Sequence, residues 1–319
     1  MRPFLSRKRD GLLTATIAAV FVTASAVPAT AVTPRPDVRV VTHLDLASGQ
    51  QPENVTLEPG GSAVVTFAFN RQIARITPGG RVRVLATLPA PSAGTATPVL
   101  SSPFLGGIVR SHDGTLYFLY ATGDGALTGL WRLRPGGTPH RIAALPADGL
   151  PNGLAFDRGE RNFYATDSVL STVWRIPVTG GAPVRWAVTP ELAPAGFIGA
   201  NGIKIHNGAA WVTNLDKGTV LRIPVTRLGH AGPVETRATG LVDIDDFTFT
   251  GRGDSLLAAI NKANIITLVR PDGSHRTVLT ADDGLENPTS LAVHGTALYV
   301  ANGAYFTQQD PSLLVAGLR

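Results

Sequence analysis

Three observations predict an all-β fold, a six-bladed β-propeller of four-stranded antiparallel blades. First, six segments align: ENVTLE at Glu53, GGIVRS at Gly106, NGLAFD at Asn152, NGIKIH at Asn201, DDFTFT at Asp245 and TSLAVH at Thr289. Successive starts lie 44 to 53 residues apart, the period of propeller blades, about 40–50 residues. Second, every segment is followed by the same succession of short strands and turns. Third, one strand-like segment stands outside the repeats, Val38-Arg39-Val40-Val41-Thr42-His43-Leu44, while the sixth repeat lacks a fourth strand of its own.

Within a repeat the elements can be taken in order. In repeat three the inner strand is Gly153-Leu154-Ala155-Phe156, and a turn at 157–161 leads to a second strand, Asn162-Phe163-Tyr164-Ala165-Thr166. The third strand is Thr172-Val173-Trp174-Arg175-Ile176-Pro177, and a fourth follows around Val184–Val188. Third strands elsewhere read Ile73–Ile76, Gly129–Leu133, Val220–Pro224 and Ile265–Val269. The turns after them read PGG, PGG and PDG at Pro78, Pro135 and Pro271. Proline presets φ at the first turn position and glycine supplies positive φ. Alternation at period two bounded by such residues is a strand and hairpin signal. No amphipathic helix is evident beyond the N-terminal segment. A blade cannot bury both faces alone, so neighbours must stack. The 38–44 segment is expected to complete the sixth blade and to remove two unpaired edges.

Residues 1–31 read as an export signal. Arg2, Arg7, Lys8 and Arg9 are basic, Leu12 to Val27 is apolar, and Ala29-Thr30-Ala31 is a cleavage motif. Residues 32–319 are then one secreted domain, expected to be monomeric and free of the membrane after cleavage. Four of the 28 basic and one of the 23 acidic residues fall in the signal, which leaves a net charge of about +2. No basic run interleaved with aromatics remains, so nucleic-acid binding is not expected. The chain has no cysteine, which excludes disulfides, thiolate metal sites and a cysteine nucleophile. There is no G-x-S-x-G serine elbow either. Asn54-Val55-Thr56 matches a glycosylation sequon, but it sits beside Glu53 on an expected inner strand and is taken as chance.

If the ring closes, the equivalent positions Glu53, Asn152, Asn201 and Asp245 meet at the central axis. Two carboxylates and two amide oxygens suit a hard divalent cation, calcium above all. A plain strand-capping role for these residues, with Asn-Gly as a turn pair, is the alternative. It does not account for Glu at one repeat. Asp246 stands next to Asp245 as a further ligand, a general base or a solvated acid. Asn70, Asp167, Asn214, Asn261 and Asn302 recur at the ends of second strands and read as hairpin determinants, with a substrate role open for Asp167 or Asn214. Trp131 and Trp174 occupy equivalent third-strand positions and read as blade packing. Tyr305-Phe306 and the inserts 90–104 and 189–200 precede or face the inner-strand starts and should overhang that end of the channel, where specificity is expected.

The Glu53 segment, LPNGLAFD at 150–157, GANGIKIH at 199–206 and VDIDDFTF at 242–249 together resemble the senescence-marker-protein/gluconolactonase superfamily, which includes paraoxonases and strictosidine-synthase-like proteins. The resemblance covers the whole chain after the signal. It implies a divalent cation held by Glu53, Asn152, Asn201 and Asp245, and hydrolysis of lactones or related esters. The chain departs from that pattern at Gly106, where gluconolactonase-like members carry asparagine. None of its seven histidines is placed for the paraoxonase-like dyad. The expected function is metal-dependent hydrolysis of a small lactone or ester, with water activated at the ion and Asp245 or Asp246 as base. A metal-dependent lyase or cyclase, and a non-enzymatic binding propeller with a structural cation, are the alternatives.

Overall fold

The computed structural model describes Met1, residues 37–159 and residues 161–318. The expected signal, apart from Met1, lies outside the described residues. Twenty-four strands form six four-stranded antiparallel sheets. The inner strands are Pro52–Leu57, Phe104–Arg110, Pro151–Asp157, Ala200–His206, Ile244–Phe249 and Pro288–His294. Each packs against the inner strands on either side, and the last packs against the first, so the ring is closed. The helical elements among the described residues are two 3₁₀ turns, Pro190–Leu192 and Ala281–Asp283.

The sixth blade is completed by Val38–His43, which pairs antiparallel with Ser312–Gly317, Val38 opposite Ala316 and His43 opposite Ser312. The latch continues into the first blade. Thr289 Oγ1 donates to the Pro52 carbonyl at 3.0 Å, and Tyr299 Oη to that of Gly61 at 3.1 Å. Removing residues 38–43 would strip five paired positions and expose the edge of Ser312–Gly317. At about 1 kcal/mol net per backbone hydrogen bond, the loss should reach about 3–5 kcal/mol. Thermal unfolding and light scattering on the truncated chain check this; an unchanged midpoint without aggregation would show that the latch is dispensable.

The hydrophobic residues do not form one central core. Six clusters lie one at each blade junction, for example Tyr164 and Trp186 of blade three against Ile203 and Val212 of blade four, and Phe118 of blade two against Val64 of blade one. This arrangement explains why second strands such as Ala63–Phe67 and Leu256–Ile260 are buried at every residue rather than at alternate ones. Both faces of a blade are covered by neighbours, as in a sheet sandwiched on two sides. Phe67, Phe118, Phe163 and Phe247 are fully buried at these junctions, each contributing about 1.5–3 kcal/mol. Trp131 and Trp174 are buried as packing residues, with Trp131 Nε1 donating to the Leu127 carbonyl at 2.8 Å.

Candidate functional site

The functional end of the channel is built by a defect repeated six times. In every inner strand the register with its second strand slips at the aligned position: between Pro52 and Asn54, Leu105 and Ile108, Pro151 and Leu154, Ala200 and Ile203, Ile244 and Phe247, and Pro288 and Ser290. A bulge of this kind bends the strand and re-aims its side chains. The carbonyls freed there are taken up by the preceding blade. Thr66 Oγ1 donates to the Gly106 carbonyl at 2.9 Å, Thr213 Oγ1 to that of Asp245 at 2.6 Å, and Thr166 Oγ1 to that of Asn201.

The Asn-Gly pairs lie inside these strands, so they are not turns. A Cβ on Gly153 would stand 2.2 Å from the Asn201 carbonyl oxygen, and one on Gly202 would stand 2.8 Å from Asp246 Cα. Glycine here permits adjacent inner strands to approach closely. The same geometry explains Gly106: its Cβ would meet the Asn152 carbonyl oxygen at 2.6 Å. There is no room for an asparagine without moving backbone.

Glu53, Asn152, Asn201 and Asp245 all line one cavity of about 270 Å³. All four are buried. Asn261 lines it too, with Nδ2 donating to Asp245 Oδ2 at 3.1 Å. The walls carry the expected loops: Leu100 and Phe104 from one insert, Phe197 and Ile198 from the other, and Tyr305 with Phe306. Tyr305 Oη donates to Glu53 Oε2. Asp243, also in the lining, adopts a left-handed backbone with φ 65°, a conformation that costs energy away from glycine.

The electrostatics of this floor are unbalanced. Burial raises the Glu53 carboxyl to about 7, against the lowering effect of the Tyr305 hydrogen bond and with the help of the Asp246 charge. Asp245 is raised well above its usual range, first by burial, then by repulsion from Glu53 and Asp246. Asn201 and Asn261 pull it back down. Tyr305 is also raised well above its usual value, by burial and by Glu53. The lining contains three acids and no Lys, Arg or His.

Among the described residues no three His, Cys, Asp or Glu side chains form a metal-holding group. The donor set is therefore two carboxylates with amides. It fits a hard cation. Asn152 spends its Nδ2 on Ser168 Oγ at 3.1 Å, which leaves Oδ1 open. Asn201 Nδ2 is buried without a hydrogen-bond partner. Its influence on Asp245 thus reflects proximity rather than a formed bond, so this amide is uncommitted. Oxygen donors with an excess of negative charge are what calcium takes.

Asp246 is placed elsewhere. It is absent from the cavity lining. Its carboxylate receives Lys204 Nζ at 2.7 and 2.9 Å, Ser290 Oγ at 2.7 Å and Asn54 Nδ2 at 3.2 Å. A second, more open cavity of about 410 Å³, lined by the later residues of the inner strands, includes Asn54 and Lys204. The Asp246 cluster thus forms a polar plug along the channel. Lys204 was not singled out from sequence, although a lysine within the apolar run Ile203-Lys204-Ile205 was the available signal. Asn261 was grouped with the hairpin residues, and it does more than that. Asp167 and Asn214 behave as that group should: Asp167 Oδ1 accepts three backbone N–H groups, from Leu150, Val169 and Leu170. Asn214 Nδ2 donates to the Glu191 and Ala193 carbonyls.

No protein-family model matches the sequence, and no curated protein matches it in sequence. Solved structures do match the fold. A calcium-binding protein, regucalcin, from Agrobacterium tumefaciens superposes with a TM-score of 0.65 at 15% identity, over 89% of this chain and 94% of that one. A catalytically inactive virginiamycin B lyase from Staphylococcus aureus, solved with quinupristin, gives 0.59 at 14% identity, over 89% of this chain and 100% of that one. A luciferin-regenerating enzyme gives 0.62 at 12% identity, over 88% and 95%. These neighbours are six-bladed propellers, and at such identities the likeness is one of fold.

Proposed function

We propose that this chain is a secreted, cation-dependent hydrolase of a small lactone or ester. The observation that carries the proposal is the cavity floor: two buried carboxylates and two amides, with no basic side chain to neutralise them. Glu53, Asn152, Asn201 and Asp245 would hold a divalent cation, calcium by donor type. Similar folds include a protein described as calcium-binding and others described as enzymes, which supports the reading. Export is supported by the basic, apolar and A-x-A order of residues 1–31.

When bound, such an ion polarises a carbonyl and makes water a better nucleophile near neutral pH. The protein's own contributions are separable. Asn261 donates to Asp245 Oδ2 and orients the carboxylate that would act both as ligand and as base. Asp245 lines the same cavity as the other three candidate ligands, the position a general base for ion-held water needs. Tyr305 donates to Glu53 and holds that carboxylate in place. The apolar walls exclude bulk water and strengthen every charge interaction at the floor. Asp246, whose carboxylate is bound within the plug, would act on this chemistry through its charge on Glu53 and Asp245 rather than as the base.

The test is a screen of ion-stripped and calcium-reloaded protein against γ-lactones, aryl acetates and phosphotriesters. Chelator-sensitive turnover that Asp245→Asn abolishes is expected for one class. Silence across all three would leave a binding propeller with a structural cation. Chelator-sensitive elimination in place of hydrolysis would move the assignment to a lyase.

A further inference from the structure

The cavity's chemistry changes with depth, and the change specifies a ligand. Its floor is polar. Its sides are not: Phe104, Leu150, Ile198 and Leu215 supply no hydrogen-bonding groups. Outside the floor, the polar side chains of the lining are those of Asp243, Tyr305 and Gln308; the Tyr305 hydroxyl is spent on Glu53, and Gln308 Nε2 on the Ala304 and Tyr305 carbonyls.

The mouth is more unusual. Phe69, Phe197 and Phe306 are 37%, 46% and 60% exposed, come from three separate segments, and all border this one cavity. Exposed aromatics gathered at one opening mark a binding site more often than chance scatter does. The collar is continuous with the floor: the Phe69 ring lies 5.6 Å from that of Tyr305, the residue that donates to Glu53. Beside the collar, Lys262 Nζ stands 5.8 Å over the Phe306 ring.

We infer that the cavity takes a neutral small molecule with a single carbonyl-type head and an apolar chain or ring. Phe197 and Phe306 set that preference. The assignment of the head group rests on the hydrolase reading; that of the apolar body does not. A polyhydroxylated sugar lactone would bury some of its hydroxyls against Phe104, Leu150, Ile198 and Leu215, at about 1–3 kcal/mol for each left unbonded. With a divalent cation on the floor the three acids of the lining still leave a net negative charge, so a phosphorylated body gains no net attraction. A volume of about 270 Å³ falls just below the range of about 300–1,000 Å³ seen for drug-sized ligands, so the body is a medium chain or one ring.

The experiment uses two ligand series on the whole mature chain. Calorimetry with cyclopentanone bearing no, butyl or octyl side chain measures binding without turnover. γ-Butyrolactone, γ-octalactone, γ-dodecalactone and glucono-δ-lactone are assayed for kcat/KM in calcium. Affinity should rise about fourfold per added methylene until the cavity fills. Phe197→Ser and Phe306→Ser, both at exposed positions, should flatten that rise while thermal unfolding is unchanged. Affinity indifferent to chain length, or glucono-δ-lactone turned over as fast as the alkyl lactones, would overturn the inference and leave the hydrolase reading standing. Chain-length-dependent binding with no hydrolysis of any lactone would uphold the inference and remove the lactone-hydrolase reading.

Discussion

Asp245→Ala should weaken calcium binding by at least about 100-fold, or about 2.7 kcal/mol, and Glu53→Gln should weaken it by a similar factor. Both residues are buried in the lining of the same cavity, so neither loss can be made good by bulk water. Calorimetry on chelated protein should find a single site. Unchanged affinity in both variants would place the ion elsewhere. Binding should also depend on pH. Without the ion, burial holds a proton on Glu53 up to about 7 and raises Asp245 well above its ordinary range. A cation must displace those protons, so its apparent affinity rises with pH through about 7. The stability of ion-free protein runs the other way. Glu53 has a folded pKa of about 7 against 4.5 unfolded, so the folded state holds more protons between those values. Stability is therefore lost as pH climbs through that window, and saturating calcium should remove the loss.

Lys204→Met should destabilise the fold by about 3 kcal/mol, the usual cost of leaving one member of a buried ion pair alone. The Asp246 side chain is 3% exposed and that of Lys204 is 29%, so the stranded charge is the carboxylate. Its remaining partners, Ser290 Oγ and Asn54 Nδ2, donate hydrogen bonds but carry no charge. Adding Asp246→Asn to Lys204→Met should recover much of the deficit, and urea unfolding of the two variants measures it. A single variant as stable as the parent would show that the plug is not an ion pair of consequence. Asp246→Asn alone should lower stability and leave calcium affinity intact; a fall in kcat without a fall in stability would return Asp246 to the chemistry.

The blade count, the latch strand and the four floor residues were legible because each is a periodic property of the chain. Glu53, Asn152, Asn201 and Asp245 share one position of the repeat, and closing the ring is enough to bring them together. What was not legible comes from contacts between unlike parts of different blades. Asp245 and Asp246 are neighbours in sequence, yet the bulge between Ile244 and Phe247 sends one to the cavity and the other to Lys204. No pattern within a single repeat announces that division. Asn261 matched its four counterparts in position, but only its own inner strand presents an aspartate within reach. The Asn-Gly pairs carried a misleading local signal, because glycine's lack of a side chain is used there for interstrand clearance rather than for a turn. Tyr305 was legible as part of a loop over this end of the channel, but its bond to Glu53 was not, because the loop's path follows from no repeat.

The latch also sets an order of events in folding. Val38, near the start of the first strand, pairs with Ala316 at the far end of the chain. The first strand therefore stays unpaired until the last one is in place. Blades one to five can assemble from local hairpins in the meantime, since each pairs strands close in sequence. Joining the two ends is the most non-local step, and such steps are slow because chain entropy is lost before contacts are gained. Ring closure is therefore the last commitment in folding. Until it happens, the bulges of blades one and six do not face one another and the cavity floor is incomplete.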